Sequence, residues 1–248
     1  MIYVCIPSHN NGGTIGLLLW KIRKVFDDFP RDYHLLVSDD CSSDATRETL
    51  KPYEKTLPLM VVTQQERRGY ARNLEFLLQE AIKRSDRPKR DLAITITADF
   101  SVSPTGMPEM IRRFESGADV IVGESRDLRL SLVGRLTRRS ARWLLRPGVR
   151  VPGVRDFISG CSAFRLMTLK RCFRDSNGSL LMTEGLAAHA ELVARASAAA
   201  RQIATVPVEA GPMIGPAETD NLALAVQLFK AGRLLAIPPP AEDMGRAS

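Results

Sequence analysis

The stretch Tyr33-His34-Leu35-Leu36-Val37-Ser38-Asp39-Asp40-Cys41-Ser42-Ser43-Asp44-Ala45-Thr46 decides the fold. Tyr33–Val37 has strand character and runs into a polar, acid-bearing loop. Ser43-Asp44-Ala45-Thr46 then opens a helix through Leu50, with side-chain oxygens suited to the free N–H groups of a first helical turn. Strand, polar loop and helix in that order make one unit of an α/β protein.

The same unit recurs on both sides. Upstream, Ile2–Ile6 reads as a buried strand, and Thr14–Phe26 carries Ile15, Leu18, Leu19, Ile22 and Phe26 on one helical face. Downstream, Leu59–Thr63 is a strand and Tyr70–Ala81 a helix with Leu74, Leu77, Leu78 and Ala81 aligned. Leu92–Thr97 is almost wholly apolar or β-branched, as in a strand buried on both faces. Met107–Phe114 is helical and Asp119–Gly123 gives a fifth strand. The pattern predicts an α/β fold with a central, mostly parallel sheet flanked by helices.

The second half is less regular. Leu128–Leu145 reads as a basic amphipathic helix, Gly153–Ser159 as a loop, and Cys161–Arg165 as a short strand. Ser179–Arg201 is helix-rich, Ile203–Pro207 strand-like, Gly211–Pro216 a Gly/Pro loop, and Leu222–Leu235 a last helix before Pro238-Pro239-Pro240. No repeat or break in composition divides the chain, so residues 1–238 are expected to form one domain and 239–248 a loose tail.

Composition narrows the function classes. The 248 residues are 44% hydrophobic and 25% charged, which is globular and neither disordered nor collagenous. No run reaches the roughly 18 apolar residues of a spanning helix. The start of the chain enters a strand with no basic leader, unlike a signal peptide. Cys5, Cys41, Cys161 and Cys172 are far apart and form no Cys-x-x-Cys, which disfavours a zinc site or disulfide scaffold and favours a reducing, cytoplasmic setting.

Lys plus Arg is 35 against 28 Asp plus Glu, a net +7 that calls for an anionic partner or surface. Between Arg135 and Arg174 stand eleven basic residues, opposed only by Asp156. Three readings stand for that stretch: a solvated face, arginine forks for phosphates, or, with Leu136, Trp143 and Leu144, a helix lying on an anionic membrane surface. Nucleic acid is disfavoured, because aromatics are 6% and no recognition motif is present.

Ligands of open α/β sheets bind outside the carboxyl ends of the strands. There the sequence puts Pro7-Ser8-His9-Asn10-Asn11, then Ser38-Asp39-Asp40, then Thr97-Ala98-Asp99-Phe100-Ser101. A carboxylate at a strand end can bond a base or ribose, and another can hold a divalent ion between diphosphate oxygens. Asp39, Asp40 and Asp99 read equally as turn residues, and Asp44 with Thr46 as a helix start. His9-Asn10-Asn11-Gly12-Gly13 lacks the Gly-x-Gly-x-x-Gly of dinucleotide sites, and no phosphate loop of the Gly-x-x-x-x-Gly-Lys type occurs, so hydride transfer and P-loop chemistry are disfavoured.

Ile6-Pro7-Ser8-His9-Asn10 is followed by Val37–Thr46, with Cys41 at its centre, and by Arg68-Gly69-Tyr70-Ala71-Arg72-Asn73. Later come Leu144–Gly148, Val154–Gly160 with Phe164-Arg165, and Glu191 ahead of the last strand. By these segments, from about Ile2 to Pro207, the chain resembles the inverting family 2 glycosyltransferases of GT-A fold, closest to the dolichyl- or polyprenyl-phosphate mannosyltransferase group, with Cys41 where glycine is usual. The resemblance implies a nucleotide-sugar donor held by Pro7, Ser8, Asn10, Asp39, Asp40, Arg68, Asn73, Ala98 and Asp99. It also implies Mg²⁺ or Mn²⁺ on Asp99 and Ser101, phosphates near Arg155 and Arg165, and Asp156, Glu191 and Arg155 in the chemistry. Asp156 is the first candidate general base for a hydroxyl acceptor and Glu191 the second.

The acceptor implied is a lipid phosphate or a soluble small molecule, reached from the cytoplasm or from the periphery of an anionic membrane. The chain departs from the family twice. The metal motif Asp-x-Asp reads Thr97-Ala98-Asp99, and Gly211–Asp220 lacks the usual Arg and Ser-Lys of the closing loop. Those departures keep two other readings open: an inactive nucleotide-binding homologue, or a basic protein that binds nucleic acid or anionic lipid.

Overall fold

The computed structural model describes residues 1–125, 144–145, 148, 151–157, 159–176, 179–211, 221–235 and 237. The expected helix over 128–145 therefore lies almost wholly outside the described residues, as do the tail 239–248 and all of the Gly/Pro loop beyond Gly211.

Seven strands form one sheet: β1 (Ile2–Ser8), β2 (Tyr33–Asp39), β3 (Leu59–Thr63), β4 (Leu92–Thr95), β5 (Val120–Ser125), β6 (Ser162–Arg165) and β7 (Ile203–Val208). Their order across the sheet is β3-β2-β1-β4-β6-β5-β7. All pairings are parallel except the two made by β6, which runs antiparallel between β4 and β5. The mostly parallel sheet is thus as the alternation predicts.

Seven helices are described: α1 (Ile15–Asp28), α2 (Thr46–Glu54), α3 (Tyr70–Arg84), α4 (Met107–Glu115), α5 (Leu166–Asp175), α6 (Gly185–Ala198) and α7 (Asn221–Leu234). The period of two along β1 sorts them. Ile2, Val4 and Ile6 face an apolar cluster completed by α1, α2 and α4. Tyr3 and Cys5 face a second cluster completed by α3, α5, α6 and α7. Both sheet faces are covered, which is why the central strands are apolar without alternation. Helix α5 is not among the sequence expectations. Its apolar residues Leu166, Leu169 and Cys172 are buried, but they occupy a short helix that follows a strand with no polar loop to mark its start.

Because β1 is central, with β2 and β3 on one side and β4 on the other, consecutive connections diverge at the β1/β4 edge. The carboxyl ends of those strands therefore open a crevice, the usual ligand position in such sheets.

Helix α6 is buried nearly all round and carries three fully enclosed polar residues, His189, Glu191 and Ser197. His189 Nδ1 lies 3.1 Å from the Phe157 carbonyl oxygen and Nε2 lies 3.4 Å from Thr95 Oγ1. A carbonyl only accepts, so the ring is held with its proton on Nδ1. Burial pushes its pKa down to about 4, against the opposing effect of the Phe157 carbonyl. The folded protein keeps His189 neutral while the unfolded chain protonates near pH 6.5. Stability is then full above about pH 6.5 and falls as the pH drops toward 4, by on the order of 3 kcal/mol. Urea unfolding of the wild type and of His189→Phe at pH 7 and pH 4.5 checks this: the variant should lose most of the difference between the two pH values.

Candidate functional site

The loops after β1 and β2 are sewn together by side chains acting on backbone. Asn10 donates its N–H to Ser42 Oγ at 2.8 Å, and its Oδ1 accepts from the Ser43 N–H at 2.9 Å. The Asn11 N–H donates to Thr46 Oγ1 at 2.8 Å, and the Gly12 N–H to Asp44 at 2.9 Å. Asn10 and Cys41 take the left-handed conformation, φ 53° and 56°, which an Asn tolerates better than most residues. Asp44 also accepts from the Thr46 N–H at 3.0 Å and from the Thr46 hydroxyl. Burial works against its charge, yet the bonds from Thr46 and Gly12 outweigh this and hold its carboxyl below the ordinary value. Of its two sequence readings, the helix start is what the structure contains.

Between these loops, α3 and the end of β4 lies a cavity of about 270 Å³. Its walls include Pro7, Ser8, His9 and Asn11 from β1 and its loop, Asp40 from the β2 loop, Arg67, Gly69, Tyr70 and Asn73 around the start of α3, and Thr97, Ala98 and Asp99 after β4. Gly185 and Leu186 from the start of α6 complete it.

Several expected ligand residues are at work inside this wall. The buried Asp40 carboxylate accepts from the Arg68 N–H at 2.7 Å and the Gly69 N–H at 2.9 Å. Its carbonyl takes His9 Nδ1 at 2.8 Å. Buried Asn73 donates to the Gly69 carbonyl at 2.7 Å and accepts from Ser38 Oγ at 2.5 Å. Asp39 is buried and accepts from the Ser42 hydroxyl, and it is not part of the cavity wall. The exposed Arg68 contributes only its backbone to these contacts, whereas its neighbour Arg67 lines the cavity.

Glu184 joins the site from a distance in sequence. Its Oε2 accepts from the Ala71 N–H at 3.1 Å. Gly69, at φ 87°, is where a side chain would be strained, and a Cβ there would stand in tight contact, 3.0 Å from both Glu184 carboxylate oxygens. Two carboxylates thus cap the positive end of α3. Sequence reasoning missed Glu184, Arg67, Tyr70, Gly185 and Leu186 as site residues. The available signals were the basic pair Arg67-Arg68 and, for Tyr70, its place in the Arg68–Asn73 segment.

After β4, Asp99 is exposed and accepts from the Ser101 N–H at 3.0 Å, while the Ser101 and Thr97 hydroxyls bond each other at 3.2 Å. Among the described residues no three His, Cys, Asp or Glu side chains gather to hold a metal ion. The segment with Asp156 abuts this loop: Gly160, at φ 75°, packs so closely on Thr97 that a Cβ would come within 2.6 Å of its Cγ2. Asp156 accepts from the Ser125 N–H at 3.1 Å, and the Arg155 N–H donates to Glu124 at 2.7 Å, so both stand at the carboxyl end of β5.

Two expected residues are elsewhere. Arg165 pairs in register with Leu92 at the start of β4, the opposite edge of the sheet. There it bonds Asp119 at 2.6 Å and the carbonyls of Lys89, Phe114 and Ala118, with its guanidinium over the Phe114 ring. β6 runs antiparallel, which carries its last residue away from the phosphate side that the resemblance implied. Glu191 is fully enclosed and saturated. It accepts from the N–H groups of Met182 and Thr183 and the Thr183 hydroxyl at 2.9–3.0 Å, and pairs with Arg195 at 2.7 Å. It fixes the loop ahead of α6 and is not on the cavity wall.

An open α/β sheet with one antiparallel insertion and a cavity at its carboxyl edge is the GT-A arrangement. Residues 3–173 match the profile of glycosyl transferase family 2, more than half of the chain, and the chain belongs to that family. It is 26% identical over 120 residues to an undecaprenyl-phosphate 4-deoxy-4-formamido-L-arabinose transferase of Edwardsiella ictaluri, covering 48% of this chain and 35% of that protein. It is 25% identical over 170 residues to a bactoprenol glucosyl transferase of Shigella phage SfX, covering 67% and 52%. The chain thus spans between a third and about half of the length of these curated relatives.

Solved structures share the fold. One is the glucosyl-3-phosphoglycerate synthase of Mycobacterium tuberculosis in complex with phosphoglyceric acid, with TM-score 0.65, 18% identity, and 96% and 81% of the two chains covered. Another is a mannosyltransferase of Pyrobaculum calidifontis in complex with GDP-Man and Mn²⁺, with TM-score 0.63, 19% identity, and 94% and 64% covered. No described helix is long and apolar enough to cross a membrane.

Arg165 makes a direct test of placement. Arg165→Met should lower stability by roughly 1–3 kcal/mol, because it takes one of two arginines from the buried Asp119, which keeps Arg201, and leaves three carbonyls without their donor. Nucleotide affinity should stay unchanged, and urea unfolding beside a binding titration reads both.

Proposed function

We propose that the chain is an inverting glycosyltransferase that takes a nucleoside-diphosphate sugar in the cavity at the β1/β4 edge. The observation that carries this is the cavity itself: loops after β1, β2 and β4 and the start of α3 converge there in a chain of family 2. In the reaction the acceptor oxygen attacks the anomeric carbon from the face opposite the diphosphate. A new carbon–oxygen bond forms as the bond to the diphosphate breaks, and the diphosphate leaves with the electron pair. Positive charge near those oxygens favours departure. Arg67, exposed on the cavity wall, is the described cation best set to supply it.

A divalent cation fits this site in a limited way. Mg²⁺ is often held by one or two carboxylates together with substrate phosphates. The single Asp99 carboxylate, with the Thr97 and Ser101 hydroxyls beside it, suits an ion that arrives with the diphosphate. When bound, Mg²⁺ or Mn²⁺ would neutralise developing charge on the leaving diphosphate.

For the acceptor we infer an anionic phosphate, of which a polyprenyl phosphate is the leading case. The names of the curated relatives and the basic stretch from Arg135 to Arg174 support it, as does the dolichyl/polyprenyl-phosphate mannosyltransferase likeness. Such an acceptor is already ionised and needs orientation more than a base. Arg155 and Asp156, at the end of β5 and next to the Thr97 loop, are the residues for that side. A hydroxyl acceptor would instead hand its proton to Asp156. This reading sets the protein at the cytoplasmic periphery of an anionic membrane. A second reading, a nucleotide-binding homologue without turnover, is favoured by Thr97 in place of the first carboxylate.

Titrating UDP-, GDP-, CDP- and dTDP-sugars with and without Mn²⁺ tests the donor, and release of nucleoside diphosphate on adding undecaprenyl phosphate or 3-phosphoglycerate tests the acceptor. At least one donor should bind, and Asp99→Ala should weaken the Mn²⁺-dependent part about tenfold or more, ~1.4 kcal/mol. No nucleotide binding under any condition overturns the proposal. Binding with no turnover of any donor leaves the homologue reading standing.

A further inference from the structure

Helix α7 is apolar on both of its faces. Leu228 and Ala231, with Leu235 just beyond, are buried in the apolar cluster on the α3 and α6 side of the sheet. The outward positions of an ordinary surface helix are polar. Here Val226 is 44% exposed, Phe229 44% and Leu234 57%. Exposed Lys230 and Arg233 stand among them, and α7 contains no acid. Val226, Phe229, Lys230 and Arg233 follow the i, i+3, i+4, i+7 spacing and form one outward row. The Arg233 guanidinium rests over the Phe229 ring, 4.7 Å from its centroid, and neither it nor Lys230 has a carboxylate partner among the described residues.

The surroundings of α7 have the same character. Leu144 and Gly148 pack on its last turn: a Cβ on Gly232 would stand 2.2 Å from the Leu144 carbonyl oxygen, and the Ile237 N–H donates to the Gly148 carbonyl at 3.1 Å. The chain arriving at Leu144 brings Arg135, Arg138, Arg139 and Arg142, with no acid between Asp127 and Asp156. Phe157, next to Asp156 on the side assigned above to the acceptor, lies in the same apolar cluster as Leu145 and Leu228. Helix α7 and the acceptor side therefore share one face of the sheet. The exposed pair Leu17 and Trp20 of α1 is on the opposite face, where Leu18 and Leu19 join the other cluster.

Whatever covers the outer row of α7 must accept apolar side chains and two cations together. A second copy of the chain fits poorly, since it would set Lys230 and Arg233 against their own kind with no acid on the row to pair them. An anionic bilayer fits on both counts. Its interface receives Val226, Phe229 and Leu234, and its phosphates meet the two cations, whose long stems keep the charge at headgroup level. We propose that the outer face of α7 is the surface by which this protein docks in the interface of an anionic membrane. The inference rests on the reading of the acceptor as a membrane-held phosphate and adds to it the part of the fold that meets the lipid.

The test is co-sedimentation of the full chain, without nucleotide, with vesicles of phosphatidylcholine alone and of phosphatidylcholine mixed equally with phosphatidylglycerol. Wild type is compared with Phe229→Ser, with the double variant Lys230→Gln/Arg233→Gln, and with Trp20→Ser on the opposite face. Wild type should bind the mixed vesicles and leave the neutral ones, and added salt should weaken binding. Phe229→Ser should lower partitioning about fivefold or more, and the double variant about tenfold or more. Trp20→Ser should change it by less than about twofold, and the Tm of both α7 variants should stay near wild type, because the altered side chains are exposed. If Phe229→Ser does not fold, the double variant decides. The proposal is overturned by failure of the wild type to bind mixed vesicles, by equal binding to both compositions, or by α7 variants that bind like wild type. A dimer in light scattering that Phe229→Ser dissolves overturns it as well and assigns the face to a second copy. Nucleotide titration in free solution separates this inference from the reading beneath it. Vesicle binding with no nucleotide binding sinks the transferase and leaves the docking face, and nucleotide binding with no vesicle binding does the reverse.

Discussion

The site depends on one buried carboxylate. Asp40, at the end of β2, accepts from two successive backbone N–H groups just ahead of α3. This joins the central sheet to the helix that forms one wall of the cavity, and it neutralises the positive end of that helix from inside the protein. Glu184 repeats the device from the start of α6, so three elements distant in sequence meet at Gly69. Anions commonly bind at bare helix N-termini, but this one is already occupied by protein acids. Under the proposed function a nucleotide would find its positive contact elsewhere, in Arg67 on the cavity wall.

The legible part of the fold was the part governed by periodicity. Strands Ile2–Ser8, Tyr33–Asp39 and Leu59–Thr63 and helices Ile15–Asp28 and Tyr70–Arg84 carry patterns that water imposes, and each stands within a few residues of its expected place. Helix α5 escaped because it follows β6 directly at Arg165–Leu166, with no polar loop or capping residue at the junction. The carboxyl-edge location of the site was legible too, since it follows from strand direction and a central β1. The roles of the acids there were not. Whether an aspartate meets a ligand depends on which N–H groups reach its lone pairs, and the donors to Asp40 come from 28 and 29 residues away.

The same limit applies to charge. Counting basic residues between Arg135 and Arg174 includes Arg165, which the structure spends on Asp119 and three carbonyls at the opposite edge of the sheet. Arg195 and Arg201 are likewise held, by Glu191 and Asp119. The family resemblance implied phosphates near Arg165, but an antiparallel strand of four residues places it beside Leu92 at the start of β4, the opposite edge of the sheet. A guanidinium can act on a ligand only where its own fork is not already filled, and among the described residues Arg67 is the arginine on the cavity wall.

Thr97 brings these strands of argument together. Thr97 stands where the metal motif of the family resemblance has its first carboxylate, so Asp99 is the only carboxylate of its loop, and the Thr97 hydroxyl bonds Ser101 instead. One carboxylate and two hydroxyls are a weak donor set for a hard divalent ion, whose remaining ligands would have to be water and diphosphate. Cation and nucleotide would then bind as one thermodynamic unit, each raising the affinity for the other by the same factor. In that arrangement the tuning of the diphosphate passes from the metal to the wall of the cavity. Asp40, Glu184 and Asn73 fix the backbone at the start of α3, so under the proposed function that part of the wall would need little ordering on binding a nucleotide.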